Sequence, residues 1–377
     1  MGYIQQIIPR IIRYRLFRAG LASPGTPLNF TYSVTNLCQS KCKTCAIWKL
    51  YRDNPARQND ELKLDEIERI FKSLGHFYVF NVSGGEPFLR KDLSQIVKLA
   101  CIYLKPHVVH IPTNAIAAEL TEKMTLVILR IISGINPAIQ LTIKPSLDHI
   151  GEKHDEIRGI KGNFEKVMNL FGALKGYQEQ YPNLHVELGT IISNWNVNDI
   201  EEIAAFVGGL GPDSYRNEIA EQRSEMFNLD DPITPDADQY RKAVDVFIRQ
   251  MQVGKKNNVF FQRLNHTFRL VYYDLAVRIL KERRQVIPCY AGISNAHMTP
   301  YGDIWPCCTL GYDKSMGNMR DFDYNFTALW NSSKAKEVRH YIRQGICHCP
   351  LANQMYSNIL MHPPSLMKAT KYLLFEQ

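Results

Sequence analysis

The sequence NLCQSKCKTC occupies residues 36–45 and places Cys38, Cys42 and Cys45 at the spacing Cys-x3-Cys-x2-Cys. It directly follows a predicted first strand, residues 28–35, in which apolar and polar residues alternate. Three thiolates on one short loop can hold three corners of an iron–sulfur cube and leave the fourth iron open. A structural zinc site normally closes with four ligands. From the spacing alone, zinc and coincidence remain open as alternatives.

A second motif, Ser83-Gly84-Gly85-Glu86-Pro87, follows the second predicted strand, residues 78–82. Two adjacent glycines let the backbone approach a ligand closely and adopt conformations that bulkier residues avoid. Because the carboxyl ends of parallel strands meet at one edge, we expect the cysteine loop and the glycine turn to share one mouth of the fold.

Strands and helices alternate beyond this point, which predicts a parallel sheet, open or closed into a barrel. Further strands are predicted at residues 108–112, 139–146 and 186–192, with helical periodicity at 64–74, 93–104 and 164–177, and a last unit ending near residue 219.

The first residues predict a basic amphipathic helix, with apolar side chains at three-and-four spacing over residues 3–20. Such a helix either packs on the body of the protein or lies in a membrane interface. The net charge is +8, and four arginines of this helix, at positions 10, 13, 15 and 18, supply half of it. The remaining excess is diluted over the chain, so we expect no nucleic-acid partner.

Nine cysteines in a chain of 377 residues, without a visible secretory signal, favour metal binding in a reducing cytoplasm over disulfides. Any membrane contact would then be peripheral, at the inner face. Five cysteines lie between residues 289 and 349, a segment rich in Gly, Pro, Asn and Tyr. Because this segment is short of long periodic runs, we expect something other than a large core to hold it.

Together the two motifs resemble the radical S-adenosylmethionine (SAM) superfamily, whose hallmark is Cys-x3-Cys-x2-Cys followed by a Gly-Gly-Glu-Pro turn. Thr113-Asn114, residues 146–148 and residues 154–159 extend the likeness. The resemblance implies an α/β fold, a partial (β/α)6 TIM-like barrel with a small C-terminal auxiliary-cluster domain. The expected divisions are residues 1–27 (N-terminal helix), 28–225 (core), 226–285 (helical bridge), 286–352 (auxiliary-cluster domain) and 353–377 (tail).

The resemblance also implies roles for residues. Cys38, Cys42 and Cys45 would ligate a [4Fe-4S] cluster whose open iron is chelated by SAM. The expected SAM-binding residues are Gly84, Gly85, Glu86, Pro87, Asn114, Ser146, Asp148, Arg158 and Ile191. For Ser146, Asp148 and Arg158, an ordinary loop cap and surface ion pair is the alternative.

Two departures from the family pattern concern adenine. Thr44 stands where an aromatic residue is usual, and Asn196 stands where the motif has glutamate. Trp48 is a candidate for the missing ring, with core packing as the alternative.

The second cysteine group resembles the SPASM/twitch extensions of this superfamily. The expected ligands of one auxiliary [4Fe-4S] cluster are Cys289, Cys307, Cys347 and Cys349. Cys308 would be spare or exchange roles with Cys307, and a zinc site that uses His348 is the alternative.

These likenesses predict an oxidoreductase or maturase that cleaves SAM reductively and takes a hydrogen atom from its substrate. We expect a peptide or protein substrate, with a lipid or small molecule as the alternative, and flavodoxin or ferredoxin as electron donor. A non-catalytic iron–sulfur or zinc protein, or one that only transfers electrons, is the competing hypothesis.

Overall fold

The computed structural model describes residues 2–253 and 260–375 and contains one nine-stranded sheet. Its strand order is β6-β5-β4-β3-β2-β1-β7-β8-β9. The strands are β1 (Asn29–Thr35), β2 (Val79–Gly84), β3 (Val108–Thr113), β4 (Gln140–Pro145), β5 (Leu184–Ile192), β6 (Ser214–Ile219), β7 (Asn295–Met298), β8 (Asp303–Trp305) and β9 (Gly317–Asn318).

Strands β1 to β6 pair in parallel with their neighbours, and β7 joins the sheet in parallel beside β1. Strands β8 and β9 follow in antiparallel pairing. In the described residues β6 and β9 are the two edges of the sheet, so the barrel stays open. The expected partial (β/α)6 barrel is confirmed.

Helices connect successive strands of the barrel and flank it. They are α1 (Gly2–Arg18), α2 (Lys49–Asp53), α3 (Leu64–Leu74), α4 (Leu93–Tyr103), α5 (Ala118–Ile135), α6 (Gly151–Arg158), α7 (Asn163–Gly176), α8 (Ile200–Leu210), α9 (Ala237–Val253), α10 (Phe260–Glu282), α11 (Phe326–Trp330), α12 (Ser333–Arg343), α13 (Ala352–Met361) and α14 (Pro363–Phe375).

The core forms because the period of each segment matches its element. Along α3, Ile67, Ile70, Phe71 and Leu74 repeat at three-and-four spacing and are all buried against the sheet. The β3 residues alternate between half-buried and buried positions, because successive side chains of a strand point to opposite faces of the sheet.

Residues 289–349 share this core, so the expectation that the segment lacks one is wrong. Met298 on β7 and Trp330 on α11 are almost fully buried and belong to the same apolar cluster as the barrel. The Trp330 ring stacks on Phe326 with ring centroids 5.0 Å apart. The reason is topological: β7 pairs with β1, so residues distant in sequence complete one sheet.

Helix α1 packs on the body through one face. Tyr14 is fully buried, and its hydroxyl donates to the carbonyl of Thr26 at 2.5 Å. On the opposite face Ile8, Ile12 and Leu16 are exposed by 49, 53 and 41%. The packed arrangement is therefore present, and the membrane contact of residues 3–20 stays a prediction. Within the described residues, every helix is too short or too polar to cross a bilayer.

The glycine turn after β2 is packed against the chain that enters the cysteine loop. Gly85 N–H donates to the Thr35 carbonyl and Glu86 N–H to the Leu37 carbonyl, both at 2.8 Å. A Cβ on Gly84, whose φ is +118°, would lie 2.1 Å from the Thr35 oxygen, and one on Gly85 would lie 2.4 Å from the Leu37 oxygen. Only glycine permits this approach.

The other side of the cysteine loop rests on the end of α6. Lys41 N–H donates to the Arg158 carbonyl at 3.0 Å, and Lys43 N–H donates to the Ile157 carbonyl at 2.8 Å. Gly159 follows with a φ of +68°, and a Cβ there would lie 2.4 Å from the Lys41 oxygen. Backbone bonds on two sides thus fix the loop relative to β2 and α6.

We predict that Gly85→Ala lowers the free energy of unfolding by about 1–3 kcal/mol, because the added methyl group must displace the Leu37 carbonyl. The matched control is Gly172→Ala on α7, where a Cβ meets no atom within 4 Å. That change is expected to stabilise the protein by up to about 1 kcal/mol. Denaturant unfolding of both variants measures the difference, and equal stabilities would contradict the tight packing at Gly85.

Candidate functional site

The three cysteines of residues 36–45 lie at the carboxyl ends of the parallel strands and line a cavity of about 330 Å³. Most of the expected SAM-binding residues line the same cavity: Gly84, Gly85, Asn114, Ser146, Asp148, Arg158 and Ile191. They come from five separate segments of the chain, which the sheet brings to one mouth.

Glu86 and Pro87 do not line this cavity. The buried Glu86 carboxylate accepts hydrogen bonds from Thr113 Oγ1 at 2.9 Å, Asn114 N–H at 2.7 Å and Phe88 N–H at 3.3 Å. Burial raises the pKa of Glu86 to about 7. Its side chain therefore joins the glycine turn to the end of β3 and positions Asn114. The Asn114 amide in turn lies 3.7 Å from Cys38 Sγ.

Arg158 and Asp148 form a buried ion pair, with Nε and Oδ2 2.9 Å apart and side chains 11% and 2% exposed. The alternative of a surface ion pair is therefore wrong. Arg158 Nη1 also lies 3.6 Å from Cys42 Sγ, and Asp148 Oδ1 accepts from Ile191 N–H at 2.9 Å. Asp148 thus fixes the guanidinium beside the cysteine loop and ties it to β5.

Thr44 and Asn196, which depart from the family pattern, and the candidate ring Trp48 differ in their surroundings. Asn196 is buried, and its amide donates to the carbonyls of Asp148 at 2.8 Å and Ile191 at 2.9 Å. Trp48 lies outside both the cavity lining and the apolar core. Its half-buried ring instead contacts cations, with the Arg52 guanidinium 4.7 Å from the ring centroid. Thr44 lines the cavity.

The thiols in this cavity do not lose their protons readily unless a nearby cation stabilises the thiolate. Burial raises the pKa of both Cys38 and Cys45 to about 12. A cluster of iron ions would supply the missing positive charge, and three thiols beside an open cavity suit a cluster with one free corner. These residues fit the group that the sequence implies.

The second cysteine group surrounds a separate small cavity of about 30 Å³, lined by Cys289, Cys307, Cys347, Cys349 and His348. Burial raises the pKa of Cys289 to about 11 and raises that of Cys307 still further. Four buried thiols that meet at one cavity fit a closed cluster. Cys308 lines the larger cavity instead, where Cys307 is also found.

Several cavity residues were missed in the sequence analysis: Lys144, Arg216, Glu218, Glu221, Arg223, Glu225 and His297. Arg216 pairs with Glu187 at 2.5 Å. The sequence could have indicated these residues, because several charged residues lie at and after the end of the predicted strand, over residues 216–225. Polar residues at the carboxyl end of a barrel strand indicate a functional site.

Comparison with known proteins finds two family matches in the chain. Residues 32–207 match the radical SAM superfamily, and residues 289–350 match SPASM, an iron–sulfur cluster-binding domain. The chain carries a radical SAM domain followed by a SPASM domain. The radical SAM core binds a [4Fe-4S] cluster and SAM, and the SPASM domain binds auxiliary iron–sulfur clusters. These two domains confirm the resemblance seen in the sequence.

Two curated relatives of this radical SAM protein are each 23% identical to it. They are the antilisterial bacteriocin subtilosin biosynthesis protein AlbA of Bacillus subtilis and the mycofactocin maturase MftC of Mycolicibacterium smegmatis. The matches cover 87% and 91% of the chain. The chain spans 64% of the length of AlbA and 79% of MftC.

Solved structures share the radical SAM fold with this chain. Streptococcus suis SuiB bound to precursor peptide SuiA matches with a TM-score of 0.58 at 16% identity, over 87% of this chain and 69% of SuiB. The enzyme anSMEcpe with bound AdoMet and the Cp18Cys peptide also gives 0.58, at 15% identity, over 92% of this chain and 96% of that one.

We predict that Asp148→Asn in this radical SAM protein costs about 3–5 kcal/mol of stability, because it leaves the buried Arg158 guanidinium without its partner. Asp53→Asn, which breaks the exposed Arg52–Asp53 pair, is the control and is expected to leave the unfolding midpoint unchanged. Denaturant unfolding is the measurement. Equal midpoints for the two variants would show that the buried pair does not stabilise the site.

Proposed function

We propose that this protein reductively cleaves SAM to a 5′-deoxyadenosyl radical and abstracts a hydrogen atom from a peptide or protein substrate, for oxidation or bond formation. One observation carries the proposal. The cavity of about 330 Å³ is lined by all three cysteines of the loop and by polar residues from the ends of β3, β4 and β6.

Cys38, Cys42 and Cys45 would hold the [4Fe-4S] cluster, and Cys289, Cys307, Cys347 and Cys349 the auxiliary one. When bound, the cluster and SAM supply one-electron cleavage of a sulfonium and a carbon radical that takes hydrogen. The electron would come from a flavodoxin or ferredoxin.

The chain itself positions SAM. Arg158, held by Asp148, would receive the SAM carboxylate together with Ser146, because a guanidinium fork suits a carboxylate. The backbone at Gly84 and Gly85 is open to the cavity and would accept hydrogen bonds from the methionyl ammonium, with Asn114 beside it. Ile191 would give an apolar contact to adenine. Each of these groups is fixed by packing, so little reorganisation accompanies binding.

The substrate would occupy the part of the cavity that the C-terminal segment lines. There β7, the residues that follow β8, and the start of α13 close it with His297, Pro306 and Gln354. These walls would exclude water from a reactive carbon radical.

A peptide substrate is supported by the relatives. SuiB is solved with a precursor peptide, anSMEcpe is solved with a peptide, and AlbA serves in bacteriocin biosynthesis. A substrate at a membrane surface is the second candidate. It is supported by the exposed stripe of Ile8, Ile12 and Leu16 on α1, which could contact lipid beside the exposed Arg15.

We predict that anaerobically reconstituted protein forms 5′-deoxyadenosine from SAM and dithionite, and that the triple variant Cys38→Ala, Cys42→Ala, Cys45→Ala loses this activity completely. Cys101→Ala is the control, because Cys101 is buried in α4 away from both cavities. Chromatography of 5′-deoxyadenosine measures turnover. If the fully iron-loaded wild type bound SAM without cleaving it, the proposal would fail and a role in electron transfer alone would remain.

The same assay selects the substrate class. Candidate peptides and lipid vesicles are compared by the acceleration that they cause and by deuterium transfer into 5′-deoxyadenosine from labelled substrate. Deuterium from an acyl chain, and none from any peptide, would overturn the peptide assignment.

A further inference from the structure

Cys308 is a thiol for which neither proposed cluster has a use. It does not line the small cavity of the other four C-terminal cysteines, although it directly follows Cys307. It lines the large cavity, with Arg223 Nη1 3.3 Å from its Sγ. Cys308 therefore faces the cavity in which the substrate is proposed to bind.

Cys308 has two further metal-ligating neighbours. One ligand atom each from Glu225, His297 and Cys308 lie within 4.8 Å of one another. The three residues come from the loop after β6, from β7 and from the segment after β8. Glu225 meets the other two residues because the pairing of β7 with β1 brings the C-terminal segment to the cavity.

The His297 ring is buried and held by two neighbours. Ser33 Oγ on β1 lies 2.8 Å from Nε2, and the ring packs against Trp305 with centroids 5.2 Å apart. A hydrogen bond to one ring nitrogen, which orients the other, is the usual outer-shell arrangement of a metal-bound histidine.

The charges around Cys308 favour a dication. Arg223 donates to Glu221 Oε2 from Nε at 3.1 Å and from Nη2 at 2.6 Å, so these two groups neutralise each other. Glu225 is the second carboxylate, 3.4 Å from Arg223 Nη1. The two carboxylates outnumber the single guanidinium, so this pocket has one acidic group in excess. A divalent ion would displace the Cys308 thiol proton as it binds.

Two buried polar atoms beside these residues lack a partner within the described chain. They are Oε1 of Glu221 and Nε1 of Trp305, whose side chains line the cavity. The residues are 8% and 3% exposed, so bulk water does not satisfy them. Buried polar groups are normally hydrogen-bonded, and unpaired ones point to a missing ligand.

We propose that Glu225, His297 and Cys308 bind a divalent transition metal ion, with zinc as the best match. Zinc accepts mixed sulfur, nitrogen and oxygen donors, and sites with three protein ligands keep a fourth position open. Glu225, His297 and Cys308 all line the large cavity, so a donor atom of the substrate or a water molecule can reach this ion. The ion is distinct from both iron–sulfur clusters and goes beyond the proposed function.

The test uses the full-length protein with its iron–sulfur clusters reconstituted, equilibrated with chelator-buffered zinc. Zinc and iron are counted by mass spectrometry, and zinc-edge X-ray absorption reports the ligands of zinc alone. We expect about one tightly bound zinc per chain, with a single sulfur ligand and the rest nitrogen or oxygen. Cys101→Ser is the matched cysteine control and should be unchanged.

Cys308→Ala and His297→Ala are expected to lose the zinc while they keep the iron content of the wild type. Ser33→Ala removes only the outer hydrogen bond and should weaken zinc binding about 10- to 100-fold. This graded loss keeps the proposal testable if a ligand variant folds poorly.

Three results would overturn the site. They are no zinc above the level of Cys308→Ala, zinc with two or more sulfur ligands, or loss of iron in Cys308→Ala, which would assign Cys308 to the auxiliary cluster. None of these depends on SAM cleavage, so the zinc site and the proposed function fail separately.

Discussion

The backbone contact between the glycine turn and the entry to the cysteine loop is the constraint on which the site depends. Hydrogen bonds of 2.8 Å join Gly85 and Glu86 to the carbonyls of Thr35 and Leu37, and side chains at residues 84 and 85 would collide with these two carbonyls. The end of α6 holds the other side of the loop. Three thiols are therefore presented to one cavity before any cofactor binds, which reduces the ordering cost of binding.

Charge inside the cavity is organised as pairs. Arg158 with Asp148, Arg216 with Glu187, and Arg223 with Glu221 are each within ion-pair distance at the mouth of the sheet. A buried charge without its partner costs several kcal/mol of stability, so each residue of a pair keeps the other in place. Burial raises the pKa of the Cys38 and Cys45 thiols, so a bound cation would favour their thiolate forms. The polypeptide is thus preorganised for positively charged metal groups.

The C-terminal segment completes both the core and the cavity. Pairing of β7 with β1 places His297 beside Ser33 and carries Cys307 and Cys308 to the cavity wall. Cys307 lines both cavities, whereas Cys308 lines only the large one. The proposed auxiliary cluster and the proposed zinc ion would therefore use adjacent cysteines.

The sequence by itself determined the parallel α/β fold, the cysteine loop, the glycine turn and the membership of a family, because these depend on local spacing and period. The place of Cys38, Asn114 and Arg158 in the cavity lining could be predicted, because each lies in a short motif at the end of a strand or helix. Only the tertiary structure decided that Glu86 is a positioning residue, that Asp148 pairs with Arg158, and that residues 289–349 share the main core. It also decided that His297 and Cys308 meet Glu225, since this contact joins segments over 70 residues apart and depends on strand order, which no local pattern encodes.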